Sequence, residues 1–178
     1  MTSLADAEKE SLSSEQMNRA LGGSVHIITY PQLATFNSID DLLSPSGMAI
    51  ILWLNKTNSG HWRAIFMGPE ANTVNVWDSY GLPICGELKF IPEHFAKISG
   101  ETKDLLTNLL DKSGYNVTHN TYKLQSFAPN MDTCGRWCIV RLKNRGLTNA
   151  QFAKQIKDLA KSQGRTPDDI CTELTADI

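Results

Sequence analysis

The chain is 178 residues long, 41% hydrophobic and 20% charged, which is enough for one well-filled core and short for two. A formal net charge of −2 gives no electrostatic case for general nucleic-acid binding. The polar start and a longest apolar run of only strand length, residues 48–54, leave no signal peptide or membrane-spanning helix to expect.

In chain order, residues 3–21 read as one or two short helices, with Ser13 or Ser14 as the cap and Gly22-Gly23 as the stop. Residues 48–54 form a buried strand, and 55–60 a turn. The runs 61–67 and 73–78, rich in β-branched and aromatic side chains, flank the turn cluster Gly68-Pro69-Glu70-Ala71-Asn72 and make a hairpin. A symmetric register pairing 65 with 74 and 67 with 72 puts His61 opposite Asp78, with β-carbons about 5 Å apart on one face. A bulge in the turn instead shifts the register by one and turns one of the two away.

Residues 92–99 and 101–113 look helical, the second closing at Gly114, and 115–125 alternate like a strand. From Cys134 onward few breakers occur, and the apolar stripe Trp137, Cys138, Val140 and Leu142 predicts a mostly buried helix. Its basic members Arg136 and Arg141, with Lys143 and Arg145, read as a solvated face. Thr148 with Gln151 is a capping box for a helix to Gln163 ended by Gly164, and Thr166-Pro167-Asp168-Asp169 opens a last short helix. Trp53, Trp77 and Trp137 are assigned to the core. The economical architecture is one α+β domain over 1–178, with a helical segment at 1–23, a central part at 48–142 and C-terminal helices at 148–178.

Four cysteines, Cys85, Cys134, Cys138 and Cys171, lack pairs of C-x2-C spacing, so neither structural zinc nor a secreted disulfide framework is expected. Cys134 stands apart. It falls in the first turn of its helix, where Asp132 or Thr133 can cap and the partial positive end favours a thiolate. Gly135 lets a substrate backbone approach closely. His61 can accept the thiol proton, and Asp78 can orient the imidazole and stabilise its charged form. Cys138, one turn on, reads as a packed thiol.

Four segments together carry a resemblance. Ser59-Gly60-His61-Trp62, Trp77-Asp78-Ser79-Tyr80-Gly81-Leu82-Pro83, Leu124-Gln125 and Asp132-Thr133-Cys134-Gly135-Arg136-Trp137-Cys138 resemble the motif series of adenovirus-type maturation proteases. That group includes enzymes of large DNA viruses and virophages and shares a clan with the SUMO-deconjugating proteases. The resemblance spans roughly residues 48–142. It implies an adenain/Ulp-like cysteine protease fold, a central mixed sheet flanked by helices with the nucleophile at a helix N-terminus. It also implies the roles: Cys134 as nucleophile, His61 as general base and later acid, Asp78 as the orienting acid, Gln125 as the oxyanion donor beside the Cys134 amide, and Trp62 as a wall of the substrate channel.

The activity implied is a cysteine endopeptidase that cleaves capsid or core precursor proteins at small or Gly-rich sites, without metal or cofactor. The alternative is an isopeptidase that removes ubiquitin or a ubiquitin-like modifier. The expected partner is a protein substrate, not a membrane or nucleic acid, although some members of the group take a peptide or DNA as activator. A monomer in the virion or the infected-cell cytoplasm is expected. The Leu21-Gly22-Gly23-Ser24 segment invites the idea of self-cleavage, against the simpler reading of a glycine stop.

Overall fold

The computed structural model describes residues 3–56, 59–84, 93–99 and 104–178. Eight α-helices are found there: α1 (Leu4–Ala7), α2 (Ser14–Ala20), α3 (Ile39–Leu43), α4 (Glu93–Ser99), α5 (Leu105–Ser113), α6 (Cys134–Lys143), α7 (Asn149–Gln163) and α8 (Pro167–Glu173). The strands are β1 (His26–Thr29), β2 (Met48–Lys56), β3 (Ser59–Met67), β4 (Thr73–Trp77) and β5 (Asn116–His119), joined in that order in one mixed sheet. β2, β3 and β4 form an antiparallel meander, while β1 and β5 add parallel edges. Parallel neighbours need a crossover. The first passes through a 3-10 helix at Tyr30–Thr35 and α3, the second through α4 and α5.

Helices cover both faces of the sheet, and strand alternation sorts its side chains into two cores. Ile50, Ala64, Phe66 and Trp77 pack with Trp137, Cys138, Ile139 and Leu142 of α6 and Phe152 of α7. On the other face Ile51, Trp53, Ile65 and Val76 meet Leu33, Ile39, Leu42 and Leu110. All three tryptophans assigned to the core, Trp53, Trp77 and Trp137, are buried.

Most helix boundaries follow their caps. Ser13 with Gln16, Thr148 with Gln151 and Thr166 with Asp169 each form a reciprocal capping box. Gly114 and Gly164 end their helices at φ 73° and 62°. Gly22 and Gly23, at φ 89° and 82°, close α2 as a glycine stop does, the Gly23 amide donating to the Asn18 carbonyl. Residues 92 and 101–103, included in the expected helices, lie outside the described residues, as does Cys85.

Three expectations are corrected. The hairpin pairs Ala64 with Trp77 and Ile65 with Val76, two residues away from the symmetric register. The strand expected over 115–125 ends at His119, because the Asn120 side chain takes over the pairing: its Oδ1 accepts from the Asp78 amide at 2.8 Å and its Nδ2 donates to the Asp78 carbonyl at 2.5 Å.

The third concerns the basic run, which is solvated only in part: Lys143 and Arg145 are exposed, but Arg136 and Arg141 are buried. Arg136 donates to the Thr175 carbonyl and hydroxyl. Arg141 donates to the carbonyls of Asn144 and Leu147 and to Asn149 Oδ1, and lies over the rings of Phe66 and Phe152 at 4.7 and 4.9 Å. The guanidinium thus crosslinks α6 to the start of α7. Only its planar fork reaches three acceptors while stacked. Arg141→Lys is expected to lower the unfolding free energy by about 2 kcal/mol, measured by urea titration.

Candidate active site

β3 alternates, so His61 and Arg63 point to one face and Trp62 to the other. Extending the observed pairing one step past Trp77 sets Asp78 beside Arg63 rather than His61. Because the slip is by two residues, all three side chains stay on the same face. Asp78 Oδ2 then lies 2.6 Å from Arg63 Nε and 3.0 Å from His61 Nε2, and Oδ1 accepts from the Tyr80 amide at 2.7 Å. Arg63 is a site residue that the motif reading missed. Its position two residues after His61 on one strand is the signal that could have found it. The same guanidinium donates to the carbonyls of Leu82, Pro83 and Ile84, anchoring the segment after β4.

Burial alone would raise the Asp78 carboxyl, but the hydrogen bond and charge of His61, the Arg63 guanidinium and the Tyr80 amide hold it well below the usual carboxylate range. His61 shows the opposite balance. Burial disfavours its cation, while hydrogen bonds to Asp78 and Cys134 and the charges of both raise its pKa to about 10. Tyr80 stacks on the imidazole with centroids 4.8 Å apart, and Phe127 stacks on Tyr80 at 4.2 Å. Burial and the nearby charges of Cys134, Asp168, Asp78 and Asp132 raise the Tyr80 phenol, which stays neutral.

Cys134 is the first residue of α6 and partly exposed. With His61 Nε2 committed to Asp78, Nδ1 is the nitrogen left to serve its sulfur. The expected side-chain cap is absent: Thr133 precedes the helix but makes no capping bond. Its hydroxyl donates instead to Asp168 Oδ1 at 2.9 Å. The amide end of a ten-residue helix is thereby left without a competing side-chain acceptor beside the thiol.

Asp168 is the second residue that sequence reasoning left unassigned. Buried near the start of α8, it accepts from the Ser126 amide, the Thr133 hydroxyl and Trp137 Nε1, all within 2.9 Å. One carboxylate thus brackets the loop that carries the chain into Cys134. No spacing rule links residue 168 to 133, so only the fold reveals it.

Gln125 lies in this loop, nearly fully buried. Its Oε1 accepts from Ser79 Oγ at 2.6 Å and its Nε2 donates to the Met131 carbonyl at 3.3 Å. A β-carbon at Gly135 would sit 3.2 Å from Met17 Sδ, 3.5 Å from Trp62 Cδ1 and 3.6 Å from Leu12 Cβ. The space beside Gly135 is therefore filled by the chain itself, and the demand for glycine there comes from packing of the N-terminal segment on α6. Trp62 and Cys134 share a cleft of about 440 Å³ with Leu12, Leu52, Gly60 and Asp132. The Asp132 amide donates to the Glu8 carbonyl, tying the N-terminal segment to the loop before Cys134. Cys138 and Cys171 are fully buried, and burial pushes both thiols well above their ordinary value. Among the described residues no three His, Cys, Asp or Glu side chains cluster as a metal site, and no helix is long and apolar enough to cross a membrane.

Fold and site define an α+β protein in which a histidine hydrogen-bonded to a buried aspartate stands near a cysteine at a helix start. Over 175 residues the chain is 35% identical to the uncharacterized protein V9 of Sputnik virophage, covering 98% of this chain and 99% of that protein, and it belongs to the same family. No family profile matches it. Among solved structures, the central domain of the uncharacterized Lpg1148 protein of Legionella pneumophila aligns with a TM-score of 0.44 at 14% identity, over 94% of this chain and 98% of that one. The SUMO protease Ulp1 with its catalytic cysteine oxidized to a sulfenic acid aligns with a TM-score of 0.35 at 14% identity, over 92% and 74%.

Two outcomes are expected from this geometry. Because the folded pKa of His61 lies above its ordinary 6.5, its contribution to stability is complete below that value and is lost as pH rises toward 10. Urea midpoints of the wild type should therefore fall between pH 6.5 and 10, with a flatter profile in Asp78→Asn. Asp168→Asn sets a donor against a donor and should lower the unfolding free energy by about 2 kcal/mol in thermal denaturation.

Proposed function

We propose that this chain is a cysteine peptidase in which Cys134 is the nucleophile, His61 the base and later the acid, and Asp78 the residue that orients His61. The observation that carries this reading is the imidazole of His61, hydrogen-bonded to the buried Asp78 carboxylate and close enough to Cys134, at the start of α6, for that thiol to shift its pKa. The raised His61 and depressed Asp78 pKa values favour an imidazolium held against a carboxylate.

The thiolate adds to a peptide carbonyl, and its negative charge passes to the carbonyl oxygen. The Cys134 amide, at the open end of α6, and the Gln125 carboxamide are the donors proposed for it. His61 then protonates the leaving amine, and water, deprotonated by the same ring, releases the acyl group.

A substrate that lies along the cleft shared by Trp62 and Cys134 is an extended protein segment. The motif series and the virophage relative support the finer assignment, an endopeptidase that trims capsid or core precursors in the virion or the infected-cell cytoplasm. Incubation with the precursor forms of the virion structural proteins, followed by intact-mass mapping, should give discrete cuts that Cys134→Ala abolishes. Labelling of Cys134 by a ubiquitin or SUMO vinyl sulfone, with the precursors left intact, would assign isopeptidase activity instead. Failure of both substrate classes, with Cys134 no faster toward iodoacetamide than a buried thiol, would remove the enzymatic reading.

A further inference from the structure

Ser79 and Gln125 are each about 1% exposed, and the contacts between them fix how the Gln125 carboxamide faces. A carbonyl can only accept, so the Met131 carbonyl identifies the nitrogen end of that carboxamide. A hydroxyl can donate or accept, and Ser79 Oγ donates to the oxygen end at 2.6 Å. The Ser79 carbonyl also accepts from the amides of Leu124 and Gln125 at 2.9 and 3.1 Å. One residue therefore holds Gln125 by its backbone and by its side chain. Nε2 carries two hydrogens, and Met131 takes one of them.

We infer that Ser79 is a positioning residue for the oxyanion site: it orients the Gln125 carboxamide so that the second hydrogen on Nε2 meets the oxygen of a carbonyl attacked by Cys134. This rests on the peptidase reading above and extends it. Asp78 and Ser79 are consecutive, so one dipeptide just past β4 serves both halves of the chemistry. Asp78 holds the proton-transfer group, and Ser79 holds the charge-stabilising one. Without the Ser79 hydroxyl, a buried amide oxygen loses the donor at 2.6 Å and the carboxamide loses the contact that sets its tilt.

Two reactions at the same sulfur separate this role from general packing. Alkylation by iodoacetamide is a displacement at saturated carbon: the sulfur–carbon bond forms, iodide leaves and no oxyanion arises. Acylation by p-nitrophenyl acetate goes through carbonyl addition: the thiolate adds, p-nitrophenolate leaves, and water later frees acetate. Both are followed at Cys134, with Cys134→Ala as the background. Gln125→Ala is expected to slow acylation about 10²-fold and Ser79→Ala about tenfold, with the double variant no slower than Gln125→Ala alone, because the two act as one unit. Alkylation should stay within about twofold of wild type in all three.

If Ser79→Ala leaves acylation untouched while Gln125→Ala slows it, or if the two effects add, the inference fails and the peptidase reading stands. Equal loss of alkylation and acylation in Ser79→Ala means general distortion and also overturns it. A silent Gln125→Ala removes Gln125 from the oxyanion site and Ser79 with it. Should Ser79→Ala not fold, Ser79→Cys, close in size and a weak donor, is read by the same criteria. A wild-type Cys134 that is not selectively alkylated defeats the peptidase reading itself.

Discussion

A carboxylate taken out of water is the constraint around which this structure is arranged. Asp78 is fully buried, and an isolated charge in that position costs several kcal/mol. Arg63 supplies a fixed opposite charge, the Tyr80 amide a hydrogen bond and His61 a second cation. Asn120 clamps the Asp78 backbone from both sides. Each partner is itself held, Arg63 by the carbonyls of Leu82, Pro83 and Ile84. The aspartate therefore organises its surroundings well beyond the ring it contacts.

A second buried carboxylate does for the loop before Cys134 what the first does for the His61 ring. Asp168 reaches from the C-terminal helix to both ends of the loop before Cys134 and to the indole of Trp137. Trp137 in turn packs near Trp77, the residue that precedes Asp78. The helix that carries the sulfur and the strand that carries the acid thus meet through an aromatic pair in a shared core. Small shifts in either element reach Cys134 and Asp78 by way of rigid groups.

Local chemistry was legible and long-range pairing was not. The capping boxes at Ser13, Thr148 and Thr166 could be read because both partners lie within one turn. Residues 48–54 stood out by apolar content, whereas β1, four residues long and with Pro31 two residues past its end, offered too short a pattern to separate from a loop. The hairpin was recognisable, but its register was set by how Gly68 and Thr73 close the turn, with Asn72 at φ 54°. That geometry is not a matter of composition. His61, Asp78, Gln125 and Cys134 were found because their wording resembles a motif series. Ser79 lies within that wording and Arg63 two residues past His61, but their partners, like those of Asp168, emerge from contacts across 15 to 46 positions. The basic run on α6 misled for a related reason: a guanidinium with enough carbonyls around it belongs in a core.

Strand alternation places His61 with the side chains of one core, while Cys134 heads a helix seated on the other. The approach of ring and sulfur therefore straddles the end of the sheet and works as a gauge of how the two layers are seated. A slide of one layer by an ångström would leave either set of apolar contacts nearly whole and still part the two atoms. In such an architecture the site proposed for catalysis depends on both layers at once.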